Sequence, residues 1–144
     1  NSKGKFLGKV IKFLSKKNIK LNITAVYTHK QTLMILRNIE RKSKIIISIF
    51  AGRMADTGKD PIPQIKKSIK DSKKFKNVKI LWASVREPYN YMQAKKLGCH
   101  IITVPPSIID KIEKFGKSFN QLSIETVKTF LKDSKKSNFK INLL

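Results

Sequence analysis

The chain has 144 residues, 40% of them hydrophobic with eight Phe and one Trp, which suits one cored domain and not two. No apolar run approaches the roughly 18–20 residues that cross a bilayer, and the lone Cys99 excludes a disulfide framework and fits a reducing, cytoplasmic setting. Thirty-two basic against nine acidic residues give a net charge of +23, which invites a polyanionic partner, yet only Arg37, Arg41, Arg53 and Arg86 are arginines. A chain built to grip phosphates or read bases favours Arg for its bidentate fork. Lysine is spread over the whole length beside much Ile and Asn, so a solvated face driven by composition is the first reading. Nucleic acid is set aside as a partner, although a field of this size attracts anions whatever its origin.

In chain order, helical spacing comes first, over Phe6–Lys17, with Leu7, Val10, Ile11 and Leu14 on one stripe. Leu21–Thr28 reads as a strand, and His29–Arg41 as a helix carrying Leu33, Leu36 and Ile39. Ile45–Phe50 is the second strand. Pro61 and Pro63 mark the start of a helix over Pro63–Phe75. Val78–Ala83 is the third strand, and Glu87–Leu97 a helix with Pro88 near its start and Gly98 as its stop. His100–Val104 is the fourth strand. Helices over Ser107–Phe115 and Ser123–Lys136 follow, and the tail after Lys136 reads as irregular. Alternating strands and helices predict crossover units and a parallel sheet, with strands apolar enough to be covered on both faces. The pattern opens on a helix and has no initial Met, so we expect a strand ahead of Asn1. The first residues do not read as a signal peptide.

In parallel α/β folds, function gathers at the carboxyl ends of strands. Asn22 and Thr24 are two apart and should share one face of the first strand, with Ile23 and Ala25 on the other. They serve either to bond neighbouring strands or to line a polar site. Ser48 and Phe50 share a face of the second strand, and Gly52 lets the backbone turn before Arg53. Ile80, Trp82, Ser84 and Arg86 share one parity on the third. A hydroxyl and a guanidinium at a strand end that opens a helix make an oxyanion site, unless Arg86 only caps its own loop. Asp56 and Asp60 are turn residues, or hold Arg53, or touch substrate. His29, Cys99 and His100 have no partner at metal spacing and read as structural. The sequence shows no Gly-rich dinucleotide fingerprint, P-loop or G-x-S-x-G motif.

Four strand-end segments in order carry a resemblance. They are Leu21-Asn22-Ile23-Thr24-Ala25-Val26-Tyr27; Ile47-Ser48-Ile49-Phe50-Ala51-Gly52-Arg53 with Asp56, Gly58 and Asp60; Leu81-Trp82-Ala83-Ser84-Val85-Arg86; and Gly98-Cys99-His100-Ile101-Ile102-Thr103-Val104-Pro105. From about Gly8 to Phe130 the chain resembles the carboxyl-terminal half of a transaldolase or fructose-6-phosphate aldolase. The resemblance implies a (β/α)8 TIM-type barrel, of which residues 1–144 would form one domain of about four βα units plus a carboxyl-terminal helix. It implies Schiff-base chemistry on sugar phosphates, with transfer or release of a dihydroxyacetone unit, in carbohydrate metabolism of the pentose phosphate kind, with no cofactor and no metal. Arg53, Ser84 and Arg86 would then hold phosphate. Asn22, Thr24 and Ser48 would meet substrate hydroxyls or a catalytic water, and Phe50 would wall the iminium. The family's lysine belongs to a strand before this segment, expected upstream of Asn1. Lys20, Lys59 and Lys79 are poor substitutes, two at strand starts and one on a loop. Half a barrel leaves open sheet edges, so self-association is expected. A basic half-barrel that binds phosphate-containing anions or nucleic acid without catalysis is the alternative.

Overall fold

The computed structural model of the chain describes residues 3–137, so the tail expected to be irregular lies, past Ser137, outside the described residues. Eleven elements follow one another: α1 (Gly8–Lys16), β1 (Leu21–Val26), α2 (His29–Leu36), β2 (Ile45–Phe50), α3 (Ala51–Ala55), α4 (Ile62–Ser72), β3 (Val78–Ala83), α5 (Tyr89–Leu97), β4 (Ile101–Ile102), α6 (Pro106–Ile112) and α7 (Phe119–Ser137). The strands form one parallel sheet in the order β1-β2-β3-β4. That is the αβ alternation read from the sequence, with strands adjacent in chain order.

Local chemistry explains most boundaries. Thr28 and Gln31 form a reciprocal capping box at the start of α2. Gly98 ends α5 in the left-handed region at φ 76°. α3 was not expected from the sequence, and two other helices depart from their expected bounds. α2 stops at Leu36, where the Asn38 amide turns back to donate to the Met34 carbonyl at 2.8 Å. α7 starts at Phe119 and not near Ser123, because Ser118 and Gln121 exchange bonds as a second capping pair, at 2.8 Å and 3.2 Å. The strand expected over His100–Val104 shortens to Ile101–Ile102, although His100 N–H still donates to Ile80 and Thr103 N–H to Trp82.

The core lies on one face of the sheet. Ile45, Ile47 and Ile49 of β2 pair in register with Val78, Ile80 and Trp82 of β3. With Val26 they join one buried cluster that takes Ile11 from α1, Ile35 and Leu36 from α2, Ile65 and Ile69 from α4, and Ala94 from α5. Burying each such side chain contributes about 1.5–3 kcal/mol. Thr32 of α2 and Ser68 of α4, both buried, share a hydroxyl–hydroxyl bond of 2.9 Å that lets these helices approach. The opposite face carries Asn22, Ile46, Ser48, Phe50, Lys79, Leu81 and Ala83 by register. Leu81 and Ala83 are buried there but stand outside the helix-packed cluster. The strands are apolar enough for cover on both faces, but the cluster that unites strands and helices is on one face only. Among the described residues, no helix is long and apolar enough to cross a membrane.

Candidate functional site

The open face and the carboxyl ends of β1–β3 bring several of the singled-out residues together. Ser48, buried in the middle of the sheet, donates its hydroxyl to Asn22 Oδ1 at 2.7 Å. The bond spans β1 and β2 and leaves the Asn22 amide exposed. Phe50 closes β2 on the same face, and its ring meets the edge of Tyr27 at 6.0 Å between centroids. The Arg53 guanidinium lies 5.5 Å from the centre of that ring, at cation–π distance. A hydrogen-bonded polar pair thus stands beside an aromatic wall with a cation over its ring.

β1 departs from plain alternation at Thr24 and Ala25. Ile23 pairs with Ile47 and Val26 with Ile49, so Thr24 and Ala25 together oppose the single Ser48. This is a bulge, and Ala25 takes φ 56° to make it. Alternation along β1 is broken there: Ala25 is exposed and Val26 enters the core. The parity argument on β3 is likewise corrected. Ser48 pairs with Leu81 and Phe50 with Ala83, so Ile80 and Trp82 belong to the helix-packed side and not to the face of Asn22. Ser84 lies just past the strand at φ 65°, so strand alternation no longer sets its direction.

The loop after β3 is fixed by contacts that reach it from α3 and α5. A Cβ on Gly52 would stand 1.6 Å from the Ser84 carbonyl oxygen and 2.9 Å from Arg86 Cγ. Only glycine lets this loop lie on α3 so closely. Arg86 Nε donates to both oxygens of Asp56 at 3.1 Å, and Nη2 donates to Oδ2 at 2.6 Å. The aspartate therefore holds Arg86, and not Arg53 as one reading of the loop had it. Asp60 accepts from the Ile62 N–H at 2.9 Å, the turn role expected of it. Asn90, buried in the first turn of α5, accepts from the N–H groups of Arg86 at 3.0 Å and Glu87 at 3.3 Å.

Tyr27 and Asn90 were not read as site residues from the sequence, and Asp56 was not linked to Arg86. For Asn90 a signal existed: a short polar acceptor just inside a helix that follows Arg-Glu-Pro. For the pairing of Asp56 with Arg86 there was none, because the two are thirty residues apart.

The remaining groups stand apart. His29 Nε2 meets Asp71 Oδ2 at 2.6 Å and ties α2 to α4. His100 Nδ1 accepts from Ile80 N–H at 3.1 Å. Burial raises the Cys99 thiol to about 11. Lys20, Lys59 and Lys79 are exposed, and Lys79 shares the Asn22 face only at its amino end, beside Ile46. Among the described residues, no three of His, Cys, Asp and Glu gather as a metal set.

The family model described as Transaldolase/Fructose-6-phosphate aldolase matches residues 6–143. The chain belongs to this family. It is 31% identical over 134 residues to a probable transaldolase of Thermoanaerobacter sp. (strain X514), covering 92% of this chain and 58% of that protein. To a probable transaldolase of Nitrosopumilus maritimus (strain SCM1) it is 34% identical, covering 89% of this chain and 54% of that protein. One from Sulfurihydrogenibium sp. (strain YO3AOP1) is 35% identical, with 87% and 54% covered. The chain thus spans little more than half the length of these transaldolase-family relatives.

Proposed function

We propose that residues 1–144 are the carboxyl-terminal half of a (β/α)8 barrel that acts as a Schiff-base aldolase on sugar phosphates. The observation that carries the reading is the hydrogen-bonded Ser48–Asn22 pair beside Phe50, on the open face of a parallel sheet, in a member of this family. Four strands are half of the eight such a barrel needs, and the chain covers 58% and 54% of two relatives.

In this reading a lysine on a strand of the other half attacks the ketose carbonyl, and water leaves to form the iminium. The adjacent carbon–carbon bond breaks as a hydroxyl proton is removed. The aldehyde departs and the bonding electrons stay on the three-carbon unit as an enamine. That unit then adds to an aldose phosphate or is protonated and hydrolysed. Asn22, Thr24 and Ser48 bond substrate hydroxyls or the water, and Phe50 keeps bulk solvent from the iminium. Arg53, Ser84 and Arg86 hold the phosphate, Arg through charge-assisted bonds.

Borohydride trapping with fructose 6-phosphate, read by intact mass, tests this. The chain alone should trap nothing, since its lysines on the candidate strands are exposed. Joined to the part of a relative that it does not span, it should trap one adduct, on the relative's segment. An adduct at one defined lysine of this chain, or none in the joined protein, would overturn the reading.

A second reading has its own observation. A cleft of about 680 Å³ at the amino ends of β1–β3 is lined by Lys20, Arg41, Lys42, Lys44, Lys76 and Lys79 with no acidic residue. A non-catalytic basic module would bind phosphate-containing anions there. Retention of the 144-residue chain on heparin, lost when Lys44 and Lys79 become Glu, would favour it.

A further inference from the structure

We infer that Asn90 and Asp56 are the positioning residues of Arg86, holding its main chain and its guanidinium in place before any anion arrives. The inference deepens the phosphate role proposed for Arg86 and rests on that reading.

The residues between β3 and α5 have few intrinsic reasons to hold one shape. Ser84 is at positive φ, Pro88 lacks an N–H, and α5 has no capping side chain from its Pro88 end. Arg86 and Glu87 therefore carry N–H groups that the helix cannot bond. Asn90 supplies the acceptor from inside the first turn, at 3.0 and 3.3 Å. Its own amide is fixed in turn, donating to Gln93 Oε1 at 2.9 Å and to Glu87 Oε1 at 3.4 Å. The side chain is 9% exposed, so these bonds are shielded from competing water. This is an acceptor placed and oriented by its own hydrogen bonds.

Asp56 acts at the other end of Arg86. It grips the side of the fork made by Nε and Nη2. The Nη1 end of the guanidinium still has its two donors to offer, and Arg brings five in all. A phosphate can bind end-on without displacing the aspartate. The Arg86 stem meanwhile lies against Gly52, where no other residue leaves room. Main chain, stem and fork are thus each held by a different residue, and little rotamer freedom is left to lose on binding.

The test uses the 144-residue chain and inorganic phosphate. Trp82 is the only Trp and lines a cleft of about 310 Å³ with Asp56, Arg86 and Asn90, so its emission reads the titration. With only four arginines, the Nε–Hε signal of Arg86 can be assigned by nuclear magnetic resonance. Asn90→Ala should weaken phosphate binding about threefold or more, the effect of neutral hydrogen bonds lost, and should shift the Arg86 signal. Asn90→Asp combined with Glu87→Gln keeps the acceptor and the local charge and lets the new side-chain amide donate back, so it should restore binding to within about twofold. Asp56→Asn should move the Arg86 signal and speed its exchange with water in the absence of phosphate. An unchanged signal in Asp56→Asn would overturn the inference, as would the Asn90→Asp, Glu87→Gln pair binding as weakly as Asn90→Ala, or Asn90→Ala binding like the parent chain. Failure of the underlying reading looks different: Arg86→Ala would bind phosphate as the parent does, while the signal of Arg86 in the other variants still reports its positioning.

Discussion

The middle of the sheet and its two margins are built from similar residues and differ in completeness. β2 and β3 pair over six consecutive positions, and Ile45, Ile47, Ile49, Ile80 and Trp82 on one face are all buried. At the margins β1 breaks register at its bulge, and β4 pairs over two residues. The helices there keep apolar side chains in the open: Val10 and Phe13 on α1, and on α7 Phe119 at 89% and Phe130 at 67% exposure. α7 has no buried residue at all, although its sequence is as amphipathic as that of a packed helix. Amphipathicity gives a helix a face to bury, and a neighbour must exist for the burial to happen.

The comparison breaks first by truncation. Trp82→Ala should cost about 3–5 kcal/mol in chemical denaturation, the range for large core aromatics. Val10→Ala and Phe130→Ala should each stay within about 0.5 kcal/mol, as exposed sites do. Equal losses at centre and margin would mean that α1 and α7 are packed in solution. Glycines sharpen it next. Gly52→Ala meets backbone and should lower stability by about 1–3 kcal/mol or more, with loss of phosphate binding. Gly58→Ala meets nothing within 4 Å and is strained only by its φ of 72°, so it should cost about 1 kcal/mol and leave binding intact.

Ser48→Ala removes one hydrogen bond between β1 and β2 and should cost about 1 kcal/mol. An unchanged melting midpoint would show that β1 does not depend on it. The smallest effect concerns Cys99, beside the short β4. Its thiol ionises near 11 in the folded chain against 9.0 ordinarily, because burial disfavours the thiolate. Folding therefore holds a proton that the unfolded chain releases. The associated stability is complete below pH 9 and declines as pH rises towards 11. At pH 8 a thiol reagent should label the native chain more slowly than the urea-unfolded one. Equal rates would place Cys99 at an open margin.

Much of this was legible because it is local. β2 and β3 have the bounds that continuous apolar runs gave them, Gly98 stops α5 where its φ requires glycine, and Ser48 and Phe50 share a face because strand alternation is rigid over a few residues. α3 was not legible, since five residues around a glycine carry no helical period. Nor was the bulge at Thr24 and Ala25, because it slips the register through one residue, Ala25, that looks ordinary in sequence.

By itself the sequence determined the order of every element but α3, the parallel sheet and the family, because backbone periodicity and strand-end motifs are written in consecutive residues. Only the tertiary structure decided which face the helices cover, that Asp56 reaches Arg86 and not Arg53, and that Asn90 holds the loop before it. Each of those depends on how far apart two elements come to rest, and that distance is set by packing between segments the chain itself keeps apart.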